Sequence, residues 1–324
     1  MKRGEIKRSL NLLGLIFISV VLGSSLVIAQ ESFPNRPINV IVPMPPGGAS
    51  DIIARSFVEE ASKLLGQTVV VLNKGGGGGS VGITEAMNAK ADGYTLFSCA
   101  TSTICHSSLV PGTKWKIEDV QPIAGIGIYS FAMVVHNDAP WKNFRDWVNY
   151  VKEHPGFKFG SYGARGTSNV LMYWIAKKEG IKISQVPFQG DGPGLAAMLG
   201  GHIQMFGGTG AVYPHVKAGK LRVLLQMSGK PQPGVDYMAD LYPQAPIVLT
   251  SLPVGVFTRK GVPEPVLKKL FSVFRKACSE NPVFIETNNR MSIETVYQTP
   301  ENVYRDMLEG TRIFESLLKE MGLL

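Results

Sequence analysis

Short apolar, β-branched runs alternate along this chain with stretches whose apolar residues recur every three or four positions. Residues 38–42, 68–72, 94–97 and 223–227 read as buried strands. Between them, Ile53, Phe57, Ala61 and Leu64 share one face of a helix that Asp51 is placed to cap and Gly66 to end. Further helical faces carry Ile83, Ala86, Met87 and Ala89, then Trp141, Phe144, Trp147, Val148 and Val151. The helix predicted from Pro300 carries Val303, Met307, Ile313, Phe314, Leu317 and Leu318 on its apolar face and turns Glu301, Asp306, Glu309, Glu315 and Glu320 to solvent. Strand and helix alternating in this way predict an α/β fold. Two long apolar passages, 123–135 and 253–257, read as crossings between domains. A length of 324 residues suits two domains. The predicted division is 30–131 plus 253–324 for the first and 132–252 for the second.

The connections between strand and helix carry the candidate chemistry. After the first strand, Pro43, Pro45 and Pro46 continue neither element, and Pro46, Gly47, Gly48, Ala49, Ser50 and Asp51 lead into the helix. Glycine here permits positive φ and removes Cβ atoms from the path of a ligand. Strand, small-residue turn and helix N-terminus together offer bare N–H groups to an anion. The loop lacks both the Gly-Lys-Ser/Thr ending of a nucleotide P-loop and the spaced glycines of a dinucleotide fingerprint. Ser161, Gly163, Ala164, Arg165, Gly166, Thr167 and Ser168 repeat the same logic before a helix near Val170. Arg165, the one fixed positive charge in either loop, could donate a bidentate pair to a carboxylate. Phe188, Gly190 and Asp191 precede an apolar helix that Gly200 caps. Thr101 and Ser102 follow the third strand, where open α/β sheets place ligands. Five glycines at 75–79 read as a tight crossover rather than a linker, and His202 as a turn residue.

The N-terminus changes the picture. Lys2, Arg3, Lys7 and Arg8 precede an apolar run over residues 10–28 that closes on Val27-Ile28-Ala29, the form of a secretory signal cleaved after Ala29. Removing residues 1–29 takes away four basic groups and Glu5, lowering the formal charge from +8 to +5. That mild excess attracts acidic metabolites but is too diffuse for a nucleic-acid surface. Opposed helix N-termini point the same way, to small organic dianions rather than sugars or cations. Of three cysteines, Cys99 and Cys105 could pair in an oxidising compartment, leaving Cys278 free; only His106 lies near them, so a zinc site is not expected. No reactive Cys–His arrangement, metal constellation or loop carboxylate pair supports an enzyme, and no cofactor is expected.

Four phrases of the chain, in order, carry a resemblance: residues 42–55, the glycine run with Asp92-Gly93-Tyr94-Thr95-Leu96, residues 161–169, and residues 186–201. Together they resemble the Bug family, extracytoplasmic solute receptors of tripartite tricarboxylate transporters. The resemblance implies a two-domain periplasmic-binding-protein fold of the Venus-flytrap, type II-like kind, with a ligand cleft between domains and hinge closure on binding. It implies a periplasmic, monomeric receptor for a small-molecule carboxylate, with membrane permease subunits as partners. A sensing input to a two-component system and a secreted enzyme on the same scaffold are the alternative uses. Many relatives place a His where this chain has Val170, and Gln-Val-Asp where it has His202-Ile203-Gln204.

Overall fold

The apolar runs assemble into two sheets. A computed structural model describes residues 33–229, 231–246 and 248–324. The signal sequence expected over residues 1–29 lies outside the described residues. In chain order come β1 (Ile38–Val42), α1 (Ala49–Leu65), β2 (Val69–Asn73), α2 (Ser80–Asn88), β3 (Thr95–Ala100), α3 (Thr101–Ser108) and β4 (Val120–Ile128). The chain then continues through β5 (Ala132–His136), α4 (Phe144–Glu153), β6 (Phe157–Tyr162), α5 (Thr167–Glu179), β7 (Ile183–Phe188), α6 (Asp191–Leu199) and β8 (Met205–Gly208). The short α7 (Tyr213–Lys217), β9 (Leu221–Gln226), β10 (Asp236–Tyr237), α8 (Met238–Leu241) and α9 (Val248–Ser251) complete that half. Finally β11 (Pro253–Arg259) leads to α10 (Glu264–Ser279), α11 (Pro282–Arg290) and α12 (Pro300–Glu320).

The first sheet has five strands in the order β2-β1-β3-β11-β4, parallel except for β11, which runs antiparallel to both neighbours. The second has six in the order β10-β9-β5-β8-β6-β7, with β5 antiparallel to β8 and β9. This is a two-domain α/β architecture.

The long apolar passage expected to cross between domains is two strands, not one. Ile128 pairs with Pro253 of β11, which keeps β4 in the first sheet to its last residue. Phe131 donates its N–H to Ser228 Oγ at 2.9 Å, which starts β5 in the second. Residues 129–131 therefore form the link. Helix α1 also begins earlier than its apolar face suggests. Gly48 is its N-cap, and Asp51 sits in the first turn rather than before it. At the other end Leu65 is buried and Leu64 is exposed, a one-residue drift in the buried stripe. Gly66 closes the helix at φ +66°, as expected.

The first core joins Ile41, Phe97 and Phe257 to Val303 and Met307 of α12. Phe57 of α1 meets Phe274 of α10 edge-on, ring centroids 5.7 Å apart. Beyond that core, the end of α12 reaches α5: Val170 packs in one apolar cluster with Phe314, Leu317 and Leu318. Burial there accounts for an aliphatic residue at position 170. All three cysteines are free and buried, so Cys99 and Cys105 are not paired. Cys105 sits on α3 and donates its thiol to Met307 O at 3.4 Å. Among the described residues no helix is long and apolar enough to cross a membrane.

Candidate functional site

The loop after β1 is built before any ligand arrives. Gly47 adopts φ +81° and donates its N–H to Asp51 Oδ2 at 2.9 Å. The other carboxylate oxygen of Asp51 accepts from Arg55 Nε and Asn73 Nδ2, each at 2.9 Å. Asn73 also donates to Met44 O at 3.2 Å. Asp51 is thus consumed in fixing the turn. What the turn leaves pointing forward is the start of α1, whose first N–H groups have no intrahelical acceptor.

Opposite it stands the start of α6. A narrow cleft, open to solvent, lies between them. From the first half come Met44, Pro45, Gly48, Ala49 and Ser50, with Ala100 and Thr103 at the start of α3. From the second come Tyr162, Gly190, Asp191 and Thr209, and Tyr129 comes from the link. The two rims touch. A Cβ on Gly190 would lie 3.2 Å from Pro45 Cδ, and one on Gly163 would lie 3.4 Å from Gly78 Cα. Glycine permits this closeness, and Gly190 needs it further because its φ is +149°.

The polar groups facing the cavity are few. Ser50 Oγ and Tyr129 OH are hydrogen-bonded at 3.1 Å, both buried. Burial pushes the Tyr129 and Tyr162 phenols well up, so both are neutral and can donate. The Thr209 hydroxyl donates to Asp191 Oδ2, and Asp191 Oδ1 has no partner among the described residues. Desolvation pushes the Asp191 carboxyl up to about 6, against an opposing pull from Thr209. None of the described lining residues is Lys, Arg or His.

Of the residues expected at the site, Gly48, Ala49, Ser50, Gly190 and Asp191 line this cavity. The others have different employment. Pro46 and Gly47 shape the turn, and Pro46 O would lie 3.6 Å from a Cβ on Gly192. Thr101 Oγ1 donates to Pro253 O at 2.6 Å, tying α3 to the return strand, and Ser102 is buried beside it. Ser161 Oγ accepts from Gln185 Nε2 at 2.7 Å, which also donates to Gly163 O at 3.1 Å. Ala164 O accepts from Asn169 Nδ2 at 2.6 Å. Gly166 is pressed against Tyr162, where a Cβ would come within 2.0 Å of the carbonyl oxygen. Thr167 and Ser168 are fully buried, with no hydroxyl partner among the described residues. Phe188 packs edge-on against Phe206, centroids 6.3 Å apart.

Arg165 does not line the cavity. Its Nη2 donates to Leu323 O at 2.8 Å, and beside it Tyr173 OH donates to Glu320 O at 3.1 Å. Lys177 pairs with Glu320. The second Gly-rich loop is therefore a docking point for the C-terminus. Thr103 belongs to the run of hydroxyls after β3, but Met44, Pro45, Ala100, Tyr129, Tyr162 and Thr209 were not singled out as ligand contacts from the sequence. The tyrosines lie at strand ends or in the link, and nothing in apolar periodicity marks them.

The expectation that the chain carries no Gly-x-Ser-x-Gly elbow is incorrect: Gly78-Gly79-Ser80-Val81-Gly82 has that spacing. Ser80 Oγ donates to Gly77 O at 3.1 Å, and the nearby His106 has a buried Nε2 with no partner among the described residues. Nucleophile and base do not meet. A wider groove at Ser130, Tyr213 and Gly229 is open. Among its described lining residues the one cation, Lys217, donates to Asn289 O and Arg290 O at 3.4 and 3.3 Å. Among the described residues no group of three or more His, Cys, Asp or Glu could hold a metal ion.

Comparison with known proteins adds the following. The family described as "Tripartite tricarboxylate transporter family receptor" matches residues 53–323. A Cupriavidus necator protein described as "UPF0065 protein in gbd 5'region" is 31% identical, with 96% of each chain covered. A solved "Structure of a periplasmic transporter" is 29% identical with a TM-score of 0.82, covering 90% of this chain and 99% of that one. MatC from Rhodopseudomonas palustris with bound malate has the same fold at 22% identity and a TM-score of 0.79, covering 88% of this chain and all (100%) of that one.

Proposed function

This chain belongs to the tripartite tricarboxylate transporter family of receptors, and from that premise we propose that it captures a small organic carboxylate between α1 and α6 for delivery to membrane permease subunits. Members of the family are solute-binding receptors, not enzymes. The observation that carries the carboxylate reading is the cavity itself, where Ala49 and Ser50 open α1 beside the neutral phenols of Tyr129 and Tyr162. Helix-start N–H groups and neutral hydroxyl donors suit an anionic oxygen pair without a metal or a cation. MatC, a structural neighbour, holds malate, a small carboxylate.

The same reading places the protein in the periplasm, with residues 1–29 removed after Ala29. It sets the hinge at residues 129–131 and at the entry to β11, dividing 30–131 plus 253–324 from 132–252. Opening there separates Gly190 from Pro45, and a ligand bridging the rims favours closure. The test is mass spectrometry of small molecules released from protein purified without added metabolites. An organic acid in stoichiometric amount is the expected result. A sugar or a metal ion in its place overturns the reading.

A further inference from the structure

We propose that the cleft selects ligands carrying an ammonium group beside their carboxylate, and that Asp191 is the residue that reads the ammonium; this rests on the carboxylate reading above. Asp191 is nine-tenths buried, at 9% exposure, and lines the cavity. Its Oδ2 is satisfied by Thr209, while Oδ1 has no partner among the described residues. A carboxylate so placed is costly unless something donates to it or neutralises it. The described lining supplies no cation, only hydroxyls, apolar groups and backbone.

A ligand bearing only carboxylates worsens this. Each negative oxygen pair would meet, at best, the partial charge of a helix start and a neutral phenol. Asp191, itself nine-tenths buried, would repel it at short range. A zwitterion resolves both demands at once. Its carboxylate takes the N–H groups at the start of α1, and its ammonium gives Oδ1 the charged donor that the protein withholds. The burial that raises the Asp191 carboxyl to about 6 reports the same deficit, since Thr209 is its only opposing influence. A bound ammonium would hold the ionised form.

Calorimetry on the purified protein with matched pairs tests this: propionate against alanine, succinate against aspartate, glutarate against glutamate. Within at least one pair the amino-bearing member should bind about ten- to a hundredfold more tightly, the range of one charge-assisted hydrogen bond. Asp191→Asn should abolish that preference and raise affinity for the amine-free member, with circular dichroism used to check that the variant folds. The wild-type comparison decides even where the variant does not fold. Amine-free acids binding as well as or better than their partners would overturn the proposal and leave carboxylate capture standing. Failure of every acid in both series to bind would overturn both readings.

Discussion

Helix α5 starts at Thr167 after Gly166, and helix α6 starts at Asp191 after Gly190, each at the end of a strand in one parallel pair. In the sequence both are a strand end followed by a glycine and a helix start. In the structure their surroundings differ. The start of α5 faces the C-terminal segment: Arg165 bonds Leu323 O, and Val170 is sealed under Phe314 and Leu317. The start of α6 faces the loop after β1, with Gly190 against Pro45 and Asp191 on the cavity. A glycine before a helix therefore specifies only a bare helix start. What packs opposite decides whether that start holds a ligand or a piece of the same chain.

The sharpest way to separate the two regions is pH, because their buried titratable groups push stability in opposite directions. His106, beside the α5 region, has its pKa lowered to about 3, chiefly by burial and further by Arg165. Its contribution is complete above the ordinary value of 6.5 and is lost as pH falls toward 3. Asp191 has its pKa raised to about 6, so its protonated form stabilises below 3.8 and that gain is lost as pH rises through 6. His106→Leu should remove an acid-induced loss of up to about 4 kcal/mol between pH 6.5 and 3. Asp191→Asn should instead steepen the acid loss. Urea unfolding at several pH values reads both; equal slopes in all three proteins would erase the distinction.

Next in size is the turn before α5. Gly166→Ala places a methyl 2.0 Å from Tyr162 O, a backbone atom that cannot swing aside. A loss of about 3 kcal/mol is expected, the upper end of ordinary overpacking. Denaturant unfolding checks it, and a loss below about 1 kcal/mol would show that this loop is looser than its packing implies.

The smallest effect concerns Arg165. As a latch to Leu323 O, it contributes about 1 kcal/mol of stability, and Arg165→Ala should leave carboxylate affinity within about threefold. Calorimetry giving a tenfold or larger loss would move Arg165 back to the ligand.

Much of this fold was legible because apolar periodicity is a local signal. The strands β1 and β2, the face of α1 and the Gly66 stop all follow from neighbours a few residues apart. The cavity lining was legible where it is backbone: Gly48, Ala49, Ser50, Gly190 and Asp191 belong to loops whose composition announces a turn. It was not legible where it depends on distant partners. Arg165 in sequence is a lone cation beside a helix start, and only the fold brings Leu323, 158 residues away, to its guanidinium. Tyr129 in sequence extends an apolar crossing. Only the break between β4 and β5 turns it toward Ser50. Asp51 was read as a cap and a ligand contact. Its claims by Gly47, Arg55 and Asn73 come from two elements that meet only when β1 pairs with β2.

On this reading a ligand carboxylate sits at the start of α1, facing Asp191, and is not held by Arg165 or Thr167. A crystal structure of the protein with the tightest-binding acid of the matched series tests this most directly. The expected result is a carboxylate within hydrogen-bonding reach of the Ala49 and Ser50 N–H groups, with Arg165 still on Leu323. A carboxylate held by Arg165 and Thr167, or lodged in the open groove at Ser130 and Tyr213, would contradict it.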